Sequence, residues 1–76
     1  MILTAAQVRA ARAVLGWTLA DLSERAGVAR SSVQLVEKGS DARASTLRAL
    51  AKAIRAAGID FGPNGRAIFW DEGVGE

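Results

Sequence analysis

Seventy-six residues without cysteine or histidine exclude a disulfide framework and a zinc site built on those ligands, and they allow one small domain whose core is marginal unless a second copy adds to it. Half the residues are hydrophobic, but 16 are alanine, which suits close helix packing and buries little area each, and no apolar run approaches the ~20 residues of a membrane span. The net charge of +2 is uneven: residues 1–58 hold nine Lys/Arg against four Asp/Glu, giving +5, and residues 59–76 hold one against four, giving −3, so the first part suits contact with a polyanion.

Thr4 and Gln7 form a capping-box pattern, with Leu3 placed to staple onto Val8, and they open a first predicted helix over 4–15. Val8, Ala11 and Leu15 recur at helical spacing, and Gly16 supplies the stop. Arg12 falls on or beside this apolar face, where a bare guanidinium is costly to bury. It therefore calls for an anionic partner; the alternative is a solvated arginine at the edge of the stripe.

Thr18, with Asp21 three residues on and Trp17 set to pack against Leu22, caps a second helix over 18–26. Gly27 then sits at a sharp turn, and a third helix follows over 29–38. Leu22, Ala26, Val28, Val33 and Val36 are the apolar positions that let the two helices cross and bury their contact, a helix-turn-helix pattern. Ala29, Arg30, Ser31, Gln34, Leu35 and Lys38 are left on the outer face of the third helix.

A loop over 39–44 leads to Ser45, the expected cap of a fourth helix over 45–57, whose stripe is Leu47, Leu50, Ala51 and Ile54 and whose end is Gly58. The period then shortens. Residues 59–61 and 66–70 bracket Gly62-Pro63-Asn64-Gly65, a strong turn signal for a small hairpin. Ile68 and Trp70 share one face and Phe69 takes the other, so the apolar area of Phe61, Ile68, Phe69 and Trp70 must pack on the fourth helix or on a second subunit. Residues 71–76 are acidic and Gly-rich and are expected to be loose. The fold class is all-α: a compact four-helix domain with a helix-turn-helix over 1–58, and a short C-terminal β-hairpin with an acidic tail over 59–76, expected to serve as the dimerisation element.

Gly27, Val28, Val33, Val36 and Glu37-Lys38-Gly39, preceded by Gly16-Trp17-Thr18, resemble the Xre or phage-repressor (Cro/C1-type) helix-turn-helix family over residues 4–57. The resemblance implies a cytoplasmic transcriptional regulator, a repressor, acting as a homodimer on a near-palindromic site in double-stranded DNA. It implies that Arg12 pairs with Glu37 to fix helix orientation. On the third helix, Arg30 can fork onto guanine, Gln34 onto adenine, Leu35 can pack on a thymine methyl, and Ala29 and Ser31 stand beside them as base contacts. Thr18, Ser32, Lys38, Arg43, Ser45 and Arg48 fall to the phosphates. Several positions depart from the family pattern: Leu19 replaces a phosphate-holding glutamine, Ser23 an alanine, Ala29 a capping serine, and Leu35 a polar residue. Leu19 and Leu35 together define the alternative, a protein-binding module such as an antiactivator or antitoxin-like partner. No cofactor or metal is expected. Enzymatic chemistry is not expected either, since the serines lack a partner base and the 62–65 turn does not open a helix as a phosphate loop would.

Overall fold

A computed structural model describes residues 3–75. Four helices, α1 (Ala5–Leu15), α2 (Leu19–Ala26), α3 (Arg30–Glu37) and α4 (Ala44–Ala56), precede a two-stranded antiparallel sheet of β1 (Ile59–Phe61) and β2 (Ile68–Trp70), joined through a 3₁₀ turn at Pro63–Gly65. The first two helices start on full capping boxes, Thr4 with Gln7 and Thr18 with Asp21, and both end on a left-handed glycine, Gly16 and Gly27. Gly27 is the turn between α2 and α3; its φ of 69° is a conformation in which a Cβ is strained.

The core is one cluster. Val8 and Ala11 of α1, Leu22 of α2, Val33 and Val36 of α3, and Leu50, Ala51 and Ile54 of α4 are buried together with Leu3 and Ile59. Helix α2 packs on α3 and α4, α1 packs on α3, and the strands cover the far side, β1 against α4 and β2 against α1. Leu19 is half-buried and packs against this cluster, so it does not share an exposed apolar surface with Leu35.

The hairpin register pairs Ile59 with Trp70, Asp60 with Phe69 and Phe61 with Ile68. Directly opposed residues share a face, which sets Ile59, Phe61, Ile68 and Trp70 on one side and Asp60 and Phe69 on the other. Phe61 and Ile68 pack against the core cluster, whereas Phe69 and Trp70 remain 58% and 48% exposed. Gly62 is required by close approach, because a Cβ there would stand 2.6 Å from that of Ala67.

Two further expectations are corrected. Ser45 does not cap α4: the cap position is Arg43, which makes no side-chain capping bond, and the helix begins at Ala44. The amide of Leu47 already bonds the Arg43 carbonyl at 3.1 Å, so Ser45 lies inside the first turn. The tail is not loose over 71–75. The amide of Val74 bonds the Asp71 carbonyl at 3.3 Å, Val74 packs on the core and over Gly58, and Gly75 lies against the backbone of Val14 and Leu15; Glu76 lies outside the described residues.

Candidate nucleic-acid interface

The turn between α2 and α3 is held from inside. Ser23 Oγ donates to the Val28 carbonyl at 2.6 Å, and the Val28 amide donates to the Ser23 carbonyl at 3.1 Å. Ser23 thus bolts the two helices across Gly27, a role its small size alone did not announce.

Helix α3 turns Arg30, Ser31, Gln34 and Leu35 outward, with Ala29 exposed at its start and Lys38 at its end; Ser32 is half-buried at the margin. Positions 30, 31, 34, 35 and 38 follow the helical period and make one stripe. Leu35 is 50% exposed. The start of α3 has no acidic residue in its first turn and no side-chain cap, so its first amides and the positive end of the helix dipole are left for an anion.

The other end of α3 is clamped by α1. Arg12 donates from Nε to Glu37 Oε2 at 2.7 Å and from Nη2 to Oε1 at 3.0 Å, and its Nη1 donates to the Trp17 carbonyl at 2.9 Å. The two side chains are 24% and 10% exposed, and the Glu37 hydrogen bonds push the Arg12 guanidinium above its ordinary pKa. Arg9, one turn earlier on α1, donates from Nη1 to the Glu37 backbone carbonyl. Arg9 escaped the sequence reading; its spacing of three from Arg12, which puts both on one helix face, is the signal that identifies it.

Around the stripe, Thr18 is exposed at the start of α2, Lys38 and Arg43 at the two ends of the α3–α4 loop, and Ser45 and Arg48 on the first turns of α4. Among the described residues none of Arg30, Lys38, Arg43 and Arg48 enters a salt bridge. Thr18 is partly committed: its amide donates to Asp21 Oδ2 at 2.9 Å and its Oγ1 accepts from the Asp21 amide at 3.0 Å. Its hydroxyl proton remains available. The Thr18 amide bond holds the exposed Asp21 carboxyl below the usual carboxylate range.

Two short helices crossing at a bolted glycine turn, with a polar and cationic outer stripe on the second, define a helix-turn-helix protein. A model of the helix-turn-helix family of Xre/Cro/C1 type matches residues 8–58, two thirds of the chain, and the chain belongs to that family of DNA-binding regulators. A comparison with curated proteins found no match. Among the described residues there is no cluster of three acidic, His or Cys side chains able to hold a metal ion, and no helix is long and apolar enough to cross a membrane.

Proposed function

We propose that the protein is a sequence-specific, cytoplasmic transcriptional repressor that binds a near-palindromic operator as a homodimer and performs no catalysis. The observation that carries this reading is the outer stripe of α3, where Arg30, Ser31, Gln34 and Leu35 are exposed together beside Lys38. Arg30 and Gln34 have the forked donors and acceptors that read guanine and adenine edges in the major groove; Leu35 offers a methyl contact to thymine, with Ala29 and Ser31 at its side. Thr18, Ser32, Lys38, Arg43, Ser45 and Arg48 position the backbone.

Two copies are required for useful specificity. The molecule is 31 Å in its longest extent and presents one α3, while successive major grooves on one face of a duplex lie ~34 Å apart. Residues 59–76 supply the dimer contact in this reading, with Phe69 and Trp70 as its exposed aromatics and Phe61 and Ile68 as its packed underside.

Electrophoretic mobility of random genomic fragments at low and moderate salt tests the DNA reading; at low salt the phosphate attraction alone produces a shift. If no fragment shifts, the exposed Leu35 favours a protein-binding module instead. Once an operator is selected, Arg30→Ala or Gln34→Ala costs ~1–3 kcal/mol and relaxes preference at one base pair, whereas Lys38→Ala or Arg43→Ala weakens binding to every sequence and flattens the salt dependence. Equal losses on specific and random DNA for Arg30→Ala reassign that residue to a phosphate.

A further inference from the structure

The open side of β2 carries a pattern that complements itself. The Gly62 amide donates to the Ala67 carbonyl at 2.7 Å, and hydrogen-bonded and non-bonded pairs alternate along an antiparallel ladder. Asp60 and Phe69 are therefore the next pair to exchange bonds, and Ile68 and Trp70 turn their amides and carbonyls to the outer edge, where no further strand adds to the sheet among the described residues. Phe69 and Trp70, both about half exposed, stand on this unpaired edge, with Arg66 before them and Asp71 and Glu72 after.

A second β2 can add to this edge about a two-fold axis at Ile68, Phe69 or Trp70. Centring on Ile68 or on Trp70 bonds only that residue to its copy, because Arg66 has left the extended region and Glu72 lies in the turn that follows β2. Centring on Phe69 sets Ile68 of each copy opposite Trp70 of the other and faces Phe69 with itself. Only that register pairs all three residues of the strand, apolar with apolar, and satisfies the outward amides and carbonyls of both Ile68 and Trp70.

We infer that the homodimer forms through this register, as a four-stranded antiparallel sheet β1-β2-β2-β1 with Phe69 on the axis. The inference rests on the dimer proposed above and adds which edge pairs and in what alignment. It removes the free edge and shelters Trp70 between the two copies.

Phe69 would be a non-hydrogen-bonded antiparallel pair with its copy, with Cα atoms ~4.5 Å apart, inside the range a disulfide spans. The chain has no cysteine, so Phe69→Cys reports without background. Mild oxidation is expected to convert most of that variant into a covalent dimer, while Ala67→Cys and Asp71→Cys stay monomeric on a non-reducing gel. A wild-type chain that sediments as a monomer at tens of micromolar overturns the dimer itself. A dimeric wild type with silent Phe69→Cys, or with strong cross-linking at 67 or 71, overturns this register and leaves the dimer standing.

Discussion

Ala29 stands at the start of α3 with an extended backbone, φ −68° and ψ 147°, and nothing in its side chain to accept the amides that follow. A serine there fits the same backbone and supplies the missing acceptor. Ala29→Ser is expected to stabilise the free protein by about 1 kcal/mol, a rise in Tm of about 4–8 °C for a domain of this size, read by thermal unfolding without DNA. Asp21 gives the opposite kind of case, a cap already in place. Its folded pKa lies below the ordinary value of about 3.9, so its contribution is present above that value and is lost as pH falls through the folded pKa. The urea midpoints of the wild type and Asp21→Ala should therefore differ at pH 6 and draw together as pH falls through the folded pKa of Asp21. A difference that persists in acid would show that the Asp21 charge is not what holds the cap.

At the level of elements, the join between α1 and the hairpin depends on one buried amide. Gln7 is 2% exposed; its Oε1 accepts from the Thr4 amide at 3.1 Å, and its Nε2 donates to the Ala67 carbonyl at 3.0 Å and to that of Gly62 at 3.4 Å. Thr4 adds a bond from Oγ1 to the Gly65 carbonyl at 2.8 Å. Gln7→Ala leaves the Gly62 carbonyl without its donor and the Ala67 carbonyl with the Gly62 amide alone, and is expected to cost about 1–3 kcal/mol, with amide exchange rising first in the hairpin and least in α4. Uniform exchange across all elements would show that the hairpin and helices do not separate.

What the sequence made legible follows from the range of each interaction. The starts and stops of α1 and α2 were readable because Thr4 with Gln7, and Thr18 with Asp21, act within one turn, and because Gly16 and Gly27 punctuate the chain. The start of α4 was misread because Ser45 has the chemistry of a cap while the helix register is set by Leu50 and Ile54 in the core. Gln7 was legible as half of a capping box, but its bonds to Gly62 and Ala67 join positions 55 and 60 residues away, and nothing local announces them. The seating of Val74 over Gly58 was hidden for the same reason. The outer face of α3 was readable from period alone, since position on a helix decides exposure; the clamp by Arg9 on a backbone carbonyl has no residue-type signature at its acceptor end.

For the whole molecule, α1 is gripped at both ends. Thr4 and Gln7 fasten its start to the hairpin turn, and Arg9 and Arg12 fasten its later turns to the end of α3. From Thr4 to Arg12 is about 12 Å of helix, a strut too short and stiff to bend usefully. In a hairpin-joined dimer it acts as a torsional gauge, so that the angle between the two α3 helices is set by the protein before any duplex arrives. One base pair added at the centre of an operator turns its half-sites by about 35° relative to each other, and a fixed gauge cannot follow. Binding to operators lengthened or shortened by one central base pair is expected to fall towards the level of unrelated sequence. Gln7→Ala, which frees one end of the strut, should narrow the gap between correct and altered spacings even where it lowers affinity for both.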